Sequence, residues 1–188
     1  MDLIFEESEN ILSDELSKEL INNLPVNLGS YILPKNNNKW KNIESVLYNK
    51  VSAAILNYKD FIIQKESEES EESKIVKQSM DYLFISNLLK NQDSLFLKDI
   101  YIIRCNADLS NNLIVKNRFH FITFIYCIGE SETNSYITVF DDSDQKLYTY
   151  KIPPYKLILF PETPNYRLKI ITNATQYFIT GKILHKHL

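Results

Sequence analysis

Glycine is scarce in this chain, with 3 among 188 residues. A β-rich protein so poor in Gly must turn on Asn and Asp, which tolerate positive φ next best. Runs such as Asn36-Asn37-Asn38 and Asn111-Asn112 supply them. No Gly-rich phosphate loop, nucleophile elbow or paired-Cys zinc motif is present. Cysteine is rarer still: Cys105 and Cys127 both sit in strand-like apolar runs, where buried free thiols are expected. The N-terminus, MDLIFEESEN, is acidic and has no positively charged leader. Without an export signal a disulfide is not expected. No apolar run is long enough to span a bilayer. The net charge is −3 and no face reads as basic, so nucleic acid is not an expected partner. These absences predict a cytoplasmic protein that engages neither membrane nor nucleic acid.

What is present fits a soluble globular protein: 44% hydrophobic and 24% charged residues. The length predicts a single domain, residues 1–188, able to bury a real core. The first part, 1–94, reads as mainly helical support. Ser13 is an N-cap, with Asp14 and Glu15 in the first turn where the helix dipole favours acids. Leu16, Leu20, Ile21 and Leu24 then share one face, and Pro25 ends a helix over 13–24. A second helix is predicted over 40–58, where Trp40, Ile43, Leu47, Val51, Ala54, Ile55 and Tyr58 form one buried stripe. ESEESEES, Glu66 to Ser73, has no apolar residue to offset its ordering entropy and predicts an exposed, mobile loop. A third helical stretch includes Met80, Tyr82, Leu83, Ile85, Leu88 and Leu89.

From about residue 95 the pattern changes to β-branched and aromatic runs split by polar turns. Strands are predicted near 99–105, 119–128, 135–141, 146–152, 155–160, 166–172 and 175–184. Breaks fall at Gly129 to Asn134, Asp141 to Gln145, Pro153-Pro154, Pro161 to Pro164 and Thr172 to Ala174. Closely spaced strands with short turns indicate an antiparallel sandwich or barrel. Helices first and strands afterwards give an α+β layout with the helices bracing one sheet.

Four collinear pieces carry a family resemblance. RFHFITFIYCI, Arg118 to Ile128, resembles the strand read roughly as R-x-x-T-x-x-x-Y-L in prolyl-4-hydroxylase-like dioxygenases. Lys156-Leu157-Ile158-Leu159-Phe160-Pro161 is similar to their G-x-L-x-x-F-P strand, with Tyr155 where Gly is usual. QYFITGKIL, Gln176 to Leu184, resembles the closing K/R-Y-x-I-T-G-W-I strand, with Lys182 where Trp is usual. ILSDELSKELINNL, Ile11 to Leu24, looks like the opening helix of phage and bacterial members, and a viral or phage origin would suit it. The resemblance spans about residues 4–184. It implies the fold of the iron- and 2-oxoglutarate-dependent dioxygenases: a double-stranded β-helix, or jelly-roll barrel, over 95–184, with the N-terminal helices packed on one sheet.

The family's reaction needs Fe(II) held by two His and one carboxylate, with open positions for 2-oxoglutarate and oxygen. It also needs a basic residue that pairs with the distal carboxylate of 2-oxoglutarate. Each slot is degenerate here. Before Arg118 the nearest imitation of His-x-Asp is Asn106-Ala107-Asp108. After Phe160-Pro161 stand Asn165, Tyr166 and Arg167, with no His. The basic slot before Tyr177 holds the neutral Gln176. Of the 3 His, His120 reads as a packed strand residue on the face of Ile122, and His185 and His187 as a frayed tail.

Three readings follow. The first is a pseudoenzyme: a catalytically degenerate dioxygenase-like protein, with no cofactor expected, that acts as a binding or structural module for a protein partner. The second is an active hydroxylase with an atypical metal site of Asp108, His120 and Tyr166, using Fe(II) and 2-oxoglutarate. The third is a β-sandwich assembly protein unrelated to the family, which strand order would separate.

Overall fold

The computed structural model describes residues 4–7, 10–24, 30–32, 41–67, 83, 86, 95–105, 112–113, 121–128, 134–140, 143–162 and 167–185. Ten strands and two long helices are placed among them. They are β1 (Phe5–Glu6), α1 (Asp14–Asn22), β2 (Ser30–Ile32), α2 (Lys41–Ser67), β3 (Leu95–Cys105), β4 (Asn112–Leu113), β5 (Phe121–Ile128), β6 (Ser135–Phe140), β7 (Lys146–Ile152), β8 (Leu157–Glu162), β9 (Arg167–Thr172) and β10 (Gln176–His185). Helices first and strands afterwards give the α+β layout.

The strands form two antiparallel sheets. The larger runs β1-β8-β5-β10-β3-β2, the smaller β4-β9-β6-β7. Within this order lies a nested set of pairs: β3 with β10, β4 with β9, β5 with β8 and β6 with β7. The strand half is thus one long hairpin, folded so that its pairs alternate between the sheets. The short strands β1 and β2 extend the larger sheet at its two edges.

Alternation sorts the side chains of each strand into two cores. Ile103, Cys105, Ile125, Cys127, Ile158, Phe160 and Phe178 of the larger sheet meet Ile137, Val139, Ile152 and Ile170 of the smaller one. Ile100, Ile102, Ile122, Phe124, Tyr126, Leu157, Leu159, Ile179 and Ile183 face the other way, onto α1 and α2. The helices therefore brace the outer face of the larger sheet. One irregularity keeps this sorting intact. Gly181 pairs with Ile100 but Lys182 pairs with Lys98, so Asp99 is an extra residue in β3. Such a bulge flips strand parity, and it lets Leu97 and Ile100 both reach the helix-side core.

The helices follow local chemistry. Ser13 caps α1, its Oγ accepting from the Leu16 N–H at 3.2 Å. Leu20 is fully buried, with Leu16, Ile21 and Leu24 packed beside it. In α2 the stripe of Ile43, Leu47, Val51, Ala54 and Tyr58 continues to Ile62. The helix accordingly runs on past the predicted end at Tyr58 and takes in Glu66 and Ser67, the first two residues of the acidic run. This corrects the expected loop at its start; residues 68–73 lie outside the described residues. Of the third helical stretch only Leu83 and Ser86 are described, both helical. Phe5 lies 5.7 Å from the rings of both Tyr58 and Phe61, which clips β1 to α2.

The turn between β7 and β8 holds a local conflict. Tyr155 has φ of 59°, in the left-handed region that costs a side-chain-bearing residue roughly 1–2 kcal/mol. This is the position where the family pattern has Gly. Its N–H donates to the Cys127 carbonyl at 2.9 Å, and the residue packs against the helix-side core. Tyr155→Gly and Tyr155→Ala remove the same ring, so comparing them isolates the backbone. We expect the Gly variant to be the more stable by about 1 kcal/mol in urea denaturation. The opposite order would mean that φ is not left-handed here.

Candidate functional site

The inner face between the sheets is where the resemblance places a site. At its β9–β10 end the lining turns polar but stays uncharged among the described residues. Gln176 opens β10 on the same face as Phe178 and is buried. It sits directly opposite Cys105 on β3. On its other side the Cys127 thiol donates to Gln176 Oε1 at 3.8 Å. Ser135 donates to the Thr172 hydroxyl at 3.2 Å, and that hydroxyl closes the turn on Ala174 O at 3.0 Å. Asn134 N–H donates to Asn173 Oδ1 at 3.0 Å and fixes the same turn. Deeper in, Thr180 donates to the Phe124 carbonyl at 2.7 Å, and Ile125, Ile158, Phe160 and Phe178 fill the space.

Neither thiol is in a disulfide, and both are buried. β10 lies between their strands, which puts the backbones about 10 Å apart, beyond the ~7 Å that a disulfide spans. Burial, with Cys105 nearby as a smaller cause, pushes the Cys127 thiol up to about 12. The thiol form is favoured in the fold, so its stabilising share is complete below the unfolded value of about 8.5 and is lost as pH rises towards 12. We expect Cys127 to resist iodoacetamide at pH 8 in the native protein and to react once urea unfolds it. Labelling of the native thiol at the rate of free cysteine would refute this burial.

Burial also pushes the Tyr126 phenol up to about 12. Its oxygen accepts from the Leu12 N–H at 3.4 Å, on the helix side of the sheet and away from the inner face. Tyr126, which helps carry the resemblance, is thus a packing residue.

Of the predicted site residues, the structure places Gln176 on the inner face. Asn106, Asp108, His120, Tyr166 and His187 lie outside the described residues. His185 is the last residue of β10, opposite Leu95 in the register. The expected placement of His120 inside its strand lies outside the described residues, which resume at Phe121. Ile122, whose face His120 was expected to share, points to the helices and not to the inner face. Among the described residues no three His, Cys, Asp or Glu side chains group as a metal site. The flanking of Gln176 by Cys105 and Cys127 was not foreseen. Alternation in Ile103/Cys105 and Ile125/Cys127 signals which way each thiol points, but only strand pairing brings them to Gln176.

No family model matches the chain, and no curated protein matches it in sequence. Among solved structures, it is similar to a prolyl hydroxylase from Trichoplax adhaerens in complex with a hypoxia inducible factor peptide fragment. That likeness has 11% identity and a TM-score of 0.49, covering 100% of this chain and 86% of that one. A prolyl 4-hydroxylase structure from Phytophthora capsici gives 10% identity and a TM-score of 0.37, covering 95% of this chain and 64% of that one. A ribosomal oxygenase from Escherichia coli gives 9% and 0.36, with 47% of this chain matching 23% of that one. No helix among the described residues is long and apolar enough to cross a membrane.

Proposed function

We propose that this chain is a catalytically degenerate protein of the iron- and 2-oxoglutarate-dependent dioxygenase type, built on a jelly-roll barrel. It acts as a binding or structural module for a protein partner in the cytoplasm. The nested pairing β3·β10, β4·β9, β5·β8 and β6·β7 supports the barrel, because a jelly roll is a long hairpin wrapped so that its pairs alternate between two sheets.

The observation that carries the loss of activity is Gln176. In the family this position gives the charged partner of the 2-oxoglutarate distal carboxylate. Here it is a neutral amide, engaged by the Cys127 thiol at an end of the inner face that is uncharged among the described residues. A hydrogen bond to a charged partner is about twice as strong as a neutral one, and an anion placed here would lose its hydration without a counter-charge. The described donor set therefore does not fit the cosubstrate. On the same reading Asn106, Asp108 and Tyr166 stand at the iron-ligand positions with a single carboxylate and no imidazole.

The test is anaerobic titration with Fe(II) and 2-oxoglutarate. We expect no visible charge-transfer band and no succinate on admitting oxygen. A stoichiometric band, or turnover to succinate, would overturn the proposal and put forward Asp108, His120 and Tyr166 as ligands of an active hydroxylase.

A further inference from the structure

We infer that the outer face of the smaller sheet docks the acidic run of a second copy of this chain, so that copies associate head to tail. The register lays out that face in three rows. Lys151, Tyr136 and Ile171 stand side by side, then Thr149, Thr138 and Lys169, then Lys146 and Phe140. The positions on β6, β9 and the Thr149–Lys151 part of β7 alternate with Ile137, Val139, Tyr150, Ile152 and Ile170, which face inwards, and a bulge at Leu147 brings Lys146 opposite Phe140. Lys151, Thr149 and Ile171 are exposed, Ile171 at 41%. No Asp or Glu occurs within β4, β6, β7 or β9. The nearest acids in sequence are Asp141, Asp142 and Asp144, in the β6–β7 connection beyond the Phe140 row. At the other end of β6, Glu132 stands four residues before Tyr136 in sequence.

The chain as a whole carries −3, so a basic apolar sheet face is out of keeping with its composition. The densest run of acid is the five Glu of 66–73, ahead of the acidic N-terminus, and without that run the chain is net positive. This run begins in the last turn of α2, where Ser67 is exposed. α2 packs on the outer face of the larger sheet. The start of the run and the basic face are therefore on opposite sides of the molecule with both sheets between them, the sheets alone accounting for about 10 Å. That arrangement favours a contact between copies over one within a copy. Two different patches that meet across copies make a heterologous contact, which propagates unless the rotation closes a ring. Charge supplies the attraction, and Tyr136, Phe140 and Ile171 supply apolar area beneath it.

This inference stands on the charge layout and is independent of whether the barrel is catalytic. Sedimentation velocity on the full chain tests it, at about 0.01 M and about 0.5 M salt, where screening lengths differ severalfold. Wild type should form concentration-dependent oligomers at low salt that dissociate at high salt. K151E/K169E should associate at least about tenfold more weakly, and so should E66Q/E68Q/E69Q/E71Q/E72Q. Circular dichroism checks that both variants remain folded. Mixing the two variants is decisive. One keeps the acidic run and the other keeps the face, so together they should give a 1:1 dimer that grows no further. A wild type that stays monomeric at low salt would overturn the inference. So would mixed variants that fail to pair, or a face that binds a single-stranded oligonucleotide while the Glu variant still associates like wild type.

Discussion

Gln176→Lys is expected to destabilise the fold by about 3 kcal/mol or more at pH 7, whereas Gln176→Met should cost under ~1.5 kcal/mol. The two replacements have similar length and differ in charge. Gln176 is 3% exposed and stands on the inner face between Cys105 and Cys127, with Phe178 next along β10. None of these neighbours offers a carboxylate. An ammonium set among these three side chains gains no counter-charge from them, and a buried charge left unpaired costs several kcal/mol or forces the group to deprotonate. The pH dependence follows with a definite sign. Burial lowers the folded pKa of the new Lys below its unfolded value of about 10.4, so the unfolded chain binds more protons between those values. Stability of the variant should therefore recover as pH rises through that window. Met instead replaces a polar side chain by an apolar one of similar size and brings in no charge. Urea unfolding at pH 7 and pH 9 measures both terms. If Gln176→Lys is neutral, a counter-charge faces this position and the argument from an unpaired buried charge fails; if added 2-oxoglutarate raises the melting temperature of the wild type, the degenerate reading fails.

That Gln176 points inward was legible in the sequence, because it alternates with Phe178 in an apolar strand. What surrounds it was not. Cys105 and Cys127 come to Gln176 only because β10 inserts between β3 and β5, and no local pattern encodes the partner of a strand. The same division holds for the fold. β7 falls where the sequence puts it, at 146–152, because Asp and Pro clusters bound a period-two run. β1, β2 and β4 have two or three residues each, too few to show a period. β1 and β2 exist because the edges of β8 and β3 offer unpaired backbone groups. The end of α2 was readable and was placed too early: Ile62 continues the stripe one turn past Tyr58. Pro161 reads as a strand breaker, yet it lies in β8 opposite Ile122. Among the described residues β1 pairs with β8 only at Ile158 and Leu159, and Pro161 lies beyond that pairing, where a missing N–H is tolerated.

Phe178→Ala should cost about 3–5 kcal/mol, and its size bears on function. Phe178 is fully buried between the sheets on β10, the strand flanked by β3 and β5. Ile103 and Cys127 stand opposite it on those strands, and Ile125, Phe160 and Ile170 belong to the same core. Truncation removes the transfer free energy of the ring and leaves a cavity that paired strands on both sides cannot collapse, so both terms apply in full. Phe178→Leu keeps most of the volume and should cost under about 1.5 kcal/mol. The cavity would be apolar, and an apolar cavity stays dry and accepts small hydrocarbons. Benzene should accordingly raise the melting temperature of Phe178→Ala and leave the wild type unchanged. A barrel that works on a substrate keeps open space where its ligand binds, and truncating a side chain beside open space forfeits few contacts. If Phe178→Ala costs less than about 1 kcal/mol, the interior at β10 is not filled. The proposal of a filled space between the sheets would then have to be abandoned at that position.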